Sequence, residues 1–255
     1  MCVICVSNKG VAQPSKEQII QMFNKNPDGA GYMYARNGLV YISKGFLNLN
    51  DFLRDVESHN FKKSDAVVYH FRIATQGKTD ESMTHPFALT SLLERTKKLD
   101  DICKIGVAHN GIIPLTQSFK KGEEDYSDTA LFIAHYLSKI IKDKKDLKNY
   151  YTLNMIEKLG NSKFAIMDGN GYIATVGQFY KKDNGLLFSN LFFEYYPSKK
   201  NTSTKDEIIF EDKVYPINEY GEIEIDYENL SDDEIERLSL FDDFDYDSYY
   251  SHHHY

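Results

Sequence analysis

The second residue of the chain, Cys2, is the side chain best suited to covalent chemistry. Initiator methionine is normally removed when a small residue follows it, and a mature chain beginning at Cys2 carries both a thiol and a free α-amine. The thiolate, not the thiol, attacks a carbonyl carbon. An α-amine with a pKa of about 7.7–8 lies close to the cysteine value of about 8.5. The amine therefore accepts the thiol proton through a water, and one residue supplies both nucleophile and base. Three later segments hold further polar candidates. Arg72, Thr75 and Gln76 stand in Tyr69-His70-Phe71-Arg72-Ile73-Ala74-Thr75-Gln76-Gly77, and His85-Pro86-Phe87 follows eight residues on. Asn110 and Gly111 end Val107-Ala108-His109-Asn110-Gly111, and Asp128 sits in Ser127-Asp128-Thr129.

Each residue also has a plainer reading. Cysteine on an apolar strand usually packs as a small hydrophobe, which is the reading for Cys5 and Cys103. Cys2-Val3-Ile4-Cys5 is a CxxC, but residues three apart on a strand point to opposite faces, which suits neither one metal nor a redox bridge. No second CxxC completes a zinc site. Arg72 alone reads as a surface ion pair, Asn110-Gly111 as a turn, and Asp128 as a helix-start charge beside Ser127.

The order of these segments behind Cys2 resembles the class II glutamine amidotransferases, the glutaminase branch of the N-terminal nucleophile hydrolases. That family runs Cys, His-x-Arg-x-Ala-Thr-x-Gly, His-Asn-Gly and Ser-Asp-Thr. Asn26-Pro27-Asp28-Gly29-Ala30-Gly31-Tyr32 looks like its early glycine-rich segment. The resemblance covers residues 2–196 and implies an α+β protein built as a four-layer αββα sandwich. It assigns catalysis to Cys2, with an oxyanion hole from Asn110 and Gly111. It assigns the substrate α-carboxylate to Arg72 and the α-ammonium to Asp128, and it lines the pocket with Thr75, Gln76 and His85. Ile73 and Gln76 stand where some relatives carry Trp and His, a departure from the family pattern at positions that the resemblance connects with lid closure and pocket polarity.

The implied reaction is hydrolysis of the γ-amide of glutamine through a Cys2 thioester, releasing ammonia and glutamate without metal or cofactor. Fused relatives consume the ammonia in a synthase domain, and the 59 residues beyond 196 are too few to house one. A separate ammonia-accepting synthase subunit is therefore the expected partner. The alternatives are a stand-alone hydrolase of a γ-glutamyl amide or peptide, and a catalytically silent binding module of the same fold.

These candidates need elements to position them. Residues 2–6 read as a buried strand, and Ser15 with Gln18 forms a capping box that opens a helix ending near Lys25. Tyr32–Ala35 and Leu39–Ser43, joined through Asn37-Gly38, carry a strong hairpin signal. Asn50 is expected to cap a second helix bearing Phe52, Leu53 and Val56. Ala66–Ile73 reads as a strand, Leu89–Lys98 as a helix and Ile102–His109 as a strand. Ser127 reads as the cap of a long helix through Ile141, and a further helix is expected near Leu153–Leu159. Lys163–Met167, Tyr172–Val176 and Leu186–Ser189 read as strands. Beyond a polar linker, Glu207–Tyr215 and Glu222–Asp226 offer short strands, Ser231 to Glu234 caps a helix, and 241–255 forms an acidic aromatic tail. Residues 197–240 thus constitute a small extension, and the tail reads as disordered.

Charge divides the 255-residue chain at the same place. Residues 201–255 carry 17 acidic against 3 basic side chains, while the preceding 200 carry 21 against 27. With 42% apolar and 14% aromatic residues, the body is excluded from the disordered class. No apolar run approaches the roughly 18–20 residues of a membrane span. The start lacks the pattern of a signal peptide, so the expected compartment is cytoplasmic. Lys142, Lys144, Lys145 and Lys148 read as a solvated loop face, not a nucleic-acid patch.

Overall fold

The computed structural model describes residues 2–73, 80–114, 122–194, 207–210 and 213–216. The chain divides into two units, Met1–Glu194 and Tyr195–Tyr255. The first unit is of mixed α and β type, with two antiparallel sheets and several helices.

The larger sheet contains β1 (Val3–Ser7), β2 (Ala30–Arg36), β3 (Leu39–Phe46), β4 (Val67–Phe71), β6 (Asp100–Cys103), β10 (Tyr180–Lys181) and β11 (Leu187–Phe188), ordered β10-β11-β1-β4-β2-β3-β6. The smaller contains β5 (Phe87–Ala88), β7 (Ile105–Asn110), β8 (Lys163–Asp168) and β9 (Ile173–Val176) in the order β5-β7-β8-β9. Asn37 and Gly38, at φ 52° and 78°, make the tight β2–β3 turn. Positive φ at both positions matches the right-handed twist of the flanking strands.

Period-two alternation explains how the sheets are covered. Val3 and Cys5 of β1, Tyr32 and Tyr34 of β2, and Tyr69 and Phe71 of β4 pack with Ile19, Met22 and Phe23 of helix α1 (Lys16–Lys25). Phe52, Leu53 and Val56 of α2 (Leu49–His59) join the same cluster. Phe52 meets Phe71 edge-on at 5.3 Å, a pairing that adds about 0.5–1.5 kcal/mol beyond burial. The opposite residues, Ile4, Val6, Met33 and Val68, pack against Ala108, Ala165 and Met167 of the smaller sheet. The other face of that sheet, through Val107, Phe164 and Ile166, packs on Phe132, Leu137 and Ile156.

The last of these residues belong to α4 (Asp128–Phe132), a π-helical turn (Ile133–Leu137), α5 (Ser138–Ile140) and α6 (Tyr150–Gly160). The helix expected from Ser127 to Ile141 therefore changes its hydrogen-bond period midway. The Ser138 hydroxyl bonds back to the Ala134 carbonyl at 2.8 Å within this stretch.

The capping box of α1 forms as expected: Ser15 Oγ accepts from Gln18 N, and the Gln18 side chain accepts from Ser15 N. Asn48, not Asn50, caps α2, because its side chain accepts from Asn50 N and Asp51 N. Leu89–Lys98 is not one helix. Only α3 (Leu93–Thr96) is helical, and Leu92 stays two-thirds exposed. Ile102–His109 is two strands in different sheets, β6 pairing with β3 and β7 with β8.

In the second unit, the stretch Glu207–Tyr215 folds back as a hairpin of β12 (Glu207–Phe210) and β13 (Lys213–Pro216) instead of running as one strand. Glu222–Asp226, the capped segment at Ser231 and the tail 241–255 lie outside the described residues. Among the described residues no helix is long and apolar enough to cross a membrane.

Candidate active site

Strand β1 enters the larger sheet between β4 and β11, so the residue before it is flanked on both sides. In the antiparallel register Val3 faces Phe71, and one step further lie Cys2 and Arg72. The Cys2 thiol donates to the Ile73 carbonyl at 3.6 Å. Burial raises the thiol above its usual pKa, and the nearby positive charge of Arg72 offsets part of that rise. Cys5 and Cys103 are buried, and all three cysteines are free thiols. Burial raises the Cys5 thiol too, and lifts that of Cys103 to about 12.

Arg72 is held through its backbone by the glycine-rich segment that precedes β2. Its N–H donates to the Gly29 carbonyl at 2.7 Å, and its carbonyl accepts from Asp28 N at 3.0 Å. One guanidinium nitrogen, Nη1, is buried and has no partner among the described residues.

Asn110 ends β7 on the face turned toward the larger sheet, two residues beyond Ala108 of the inter-sheet core. Its side-chain amide lies 2.9 Å from Ser189 Oγ, with the nitrogen end toward the hydroxyl and Oδ1 buried without a partner among the described residues. Ser189 is itself tied to β1. Its Oγ accepts from Ile4 N at 2.8 Å, and its own N–H donates to the Ile4 carbonyl at 3.0 Å. The next residue, Asn190, donates from Nδ2 to the Cys2 carbonyl at 2.7 Å. Cys2 and Asn110, 108 positions apart in sequence, are thus joined through two adjacent side chains.

Gly111 follows at φ 135°, a left-handed conformation reserved for glycine. Asp128 opens α4 just after Ser127, whose hydroxyl accepts from Ala130 N. The Asp128 carboxylate accepts from Ile113 N at 2.9 Å, from Thr129 N at 2.7 Å and from the Thr129 hydroxyl at 3.2 Å. Thr129 Oγ1 also lies 2.8 Å from His109 Nδ1, which links Asp128 to the residue before Asn110.

His85 is buried beneath this frame. Its Nδ1 lies 3.0 Å from His70 Nε2 and 2.9 Å from the His109 carbonyl, which His70 Nε2 also approaches at 3.0 Å. Desolvation lowers all three imidazoles, His70 to about 3, His109 to about 4 and His85 well below its usual value. Lys44 Nζ reaches into the same region, donating to the Ser82 and Thr96 carbonyls at 2.6 and 2.7 Å, 3.8 Å from the Phe87 ring centre.

The contacts thus bring Cys2, Arg72 and Asn110 together at the start of β1, whereas Asp128 is tied through Thr129 to His109, Gly111 lies against Ser162 and His109, and His85 is buried with His70 and His109. Thr75 and Gln76 lie outside the described residues. Ser189 and Asn190 are absent from the residues singled out by sequence. The only local trace of them is the strand expected at Leu186–Ser189, which carries no sign of its neighbours. No group of three or more histidine, cysteine, aspartate or glutamate side chains fit to hold a metal ion occurs among the described residues. Neither protein-family models nor curated proteins give a match to the chain.

Proposed function

We propose that the protein hydrolyses the γ-amide of glutamine, or of a γ-glutamyl compound, through a thioester on Cys2. The observation that supports this most is the hydrogen-bonded frame joining Cys2 to Asn110 through Asn190 and Ser189, beside a guanidinium with an unpartnered nitrogen. We also read the helix–sheet–sheet–helix packing as the αββα sandwich of N-terminal nucleophile hydrolases.

In this reading the Arg72 fork holds the substrate α-carboxylate and Asp128 holds the α-ammonium. With both charges fixed, the γ-carbon is delivered to Sγ, and positioning supplies much of the acceleration. The α-amine of a processed Cys2 takes the thiol proton, Sγ bonds to the γ-carbon, and the carbonyl oxygen becomes an oxyanion. The Asn110 amide and the Gly111 N–H receive that charge, a contribution of about 2.7–4 kcal/mol per donor. Collapse breaks the carbon–nitrogen bond. Ammonia leaves with the proton returned by the amine, and water then attacks the thioester to release the acid and restore the thiol. A separate synthase subunit is the proposed acceptor of the ammonia.

The test combines a glutamine-like chloroketone with intact-mass measurement. The reading expects loss of Met1, one label at Cys2, and no glutamate release by Cys2→Ala. An active preparation that retains Met1 overturns the mechanism, because the amine is then an amide. No label at Cys2, with no turnover of glutamine or γ-glutamyl amides, overturns the enzyme and leaves a binding module.

A further inference from the structure

We propose that Ser189 is a positioning residue that fixes the Asn110 side-chain amide with its oxygen on the Ser189 hydroxyl and its NH2 group turned into the site. The inference rests on the amidohydrolase reading for its consequence, but not for its geometry.

Donors and acceptors at this point must be counted. Ser189 Oγ already accepts from Ile4 N at 2.8 Å. With the Asn110 nitrogen 2.9 Å away on its other side, the oxygen receives two N–H groups, and its own proton finds no acceptor among the described residues. At the same time Asn110 Oδ1 is buried without a donor. A hydroxyl carries one donor and two acceptor positions, and a primary amide carries an acceptor end and a donor end of nearly the same shape. Turning the amide by 180° exchanges those ends without moving a heavy atom from its place. The Ser189 hydroxyl then donates to Oδ1 while still accepting from Ile4 N, so the stranded oxygen and the stranded proton satisfy each other. The turned orientation satisfies the Ser189 hydroxyl in full and leaves the amide NH2, not its oxygen, as the buried group without a partner among the described residues, so it is the arrangement that an incoming anion completes.

The exchange alters what the site offers. In the turned orientation both N–H bonds of Asn110 are free of Ser189, and the position formerly held by an unpartnered oxygen presents donors. An oxyanion hole needs donors, and a carbonyl oxygen there repels the developing charge. Ser189 also reads the position of β1, because its backbone N–H and its side chain both bond to Ile4, two residues after Cys2. The orientation of Asn110 is thereby referenced to the strand that carries the nucleophile.

Two measurements test this. Neutron diffraction from deuterium-exchanged crystals shows which end of Asn110 carries deuterium, whether or not the protein turns over any substrate. Deuterium on the end nearest Ser189 overturns the proposal. Kinetics then read the consequence. Ser189→Ala is expected to lower kcat roughly 10- to 100-fold with KM changed less than about twofold, and Ser189→Thr, which keeps the hydroxyl, to recover most of it. In an Asn110→Ala background, Ser189→Ala is expected to cost nothing further. An equal loss in both backgrounds overturns the positioning role. A wild-type chain inactive on glutamine and γ-glutamyl amides, with the turned amide seen by neutrons, overturns the amidohydrolase reading and leaves the orientation standing.

Discussion

The Cys2 carbonyl accepts a hydrogen bond from Asn190 Nδ2 at 2.7 Å, so the nucleophile is anchored by its backbone and leaves its thiol and amine unencumbered by that contact. Asn190 is buried, and its side chain also accepts from Phe192 N, which holds the amide in place. Asn190→Ala is expected to cost about 0.5–1.5 kcal/mol in urea unfolding. A nucleophile displaced by about 1 Å loses on the order of a hundredfold in rate, so turnover should fall further than stability does. Asn190→Asp should be worse than Ala, because it aims an oxygen at a carbonyl oxygen. An Asp variant as active as wild type would remove Asn190 from the frame.

Arg72 carries a buried guanidinium nitrogen that no described group satisfies, and a carboxylate ligand is the natural complement. L-Glutamate, the proposed product, should raise the thermal midpoint. At a hundred times its dissociation constant the gain is about 2.7 kcal/mol, several degrees for a unit of this size. Arg72→Lys should abolish most of that rise and raise KM more than it lowers kcat, since a point charge replaces a planar fork. Equal stabilisation of wild type and Arg72→Lys by L-glutamate would count against the assignment.

The candidate site residues were legible only as an ordered set of motifs behind Cys2, since Arg72, Asn110-Gly111 and Asp128 each have a plainer reading alone. The frame was not legible. Ser189 bonds to Ile4 and Asn110 across 185 and 79 positions, and a strand of two residues, Leu187–Phe188, leaves no periodicity to read. Local chemistry fared better where it is self-contained, as in the Ser15–Gln18 box and the Asn37-Gly38 turn. It failed where an apolar run changes sheets. Ile102 to His109 looks continuous, yet Lys104 separates an edge strand from a central one. Leu89–Lys98 reads as one helix, but Leu89 continues the pairing of β5 with β7 through its N–H to the Ile105 carbonyl at 2.9 Å, and helix begins only at Leu93.

The cluster of His70, His85 and His109 makes the fold sensitive to acid. Burial depresses these imidazoles, to about 3 for His70 and about 4 for His109, whereas in the unfolded chain they titrate near 6.5. Their stabilisation is complete above pH 6.5 and is lost as pH falls toward the folded values, because the unfolded state binds protons first. Each contributes a slope of up to about 1.4 kcal/mol per pH unit in that window. The facing charges of Arg72 and Lys44 oppose protonation of His85, and Asp128 favours it at His109. Urea midpoints measured from pH 7 to 5 should fall steeply in wild type and less steeply in His70→Gln, which removes one such group. An unchanged slope in that variant would show His70 to be irrelevant to it.

Gly111 is constrained twice, by its φ of 135° and by Ser162, since a Cβ added there would stand 2.3 Å from Ser162 Oγ and 3.1 Å from its Cβ. Gly111→Ala must therefore shift the loop, at a cost of about 1–3 kcal/mol for the backbone conformation alone. The shift moves the Gly111 N–H, and if that group serves the oxyanion, kcat should drop on the order of 10²- to 10³-fold while KM changes little. Ser162→Gly in the same chain removes the collision but leaves the unfavourable φ. It should restore part of the stability, and restore activity only to the extent that the N–H returns to its place. Comparing the two variants by urea unfolding and glutamine hydrolysis separates steric from conformational cost. If Gly111→Ala keeps full kcat, the Gly111 N–H is not an oxyanion donor.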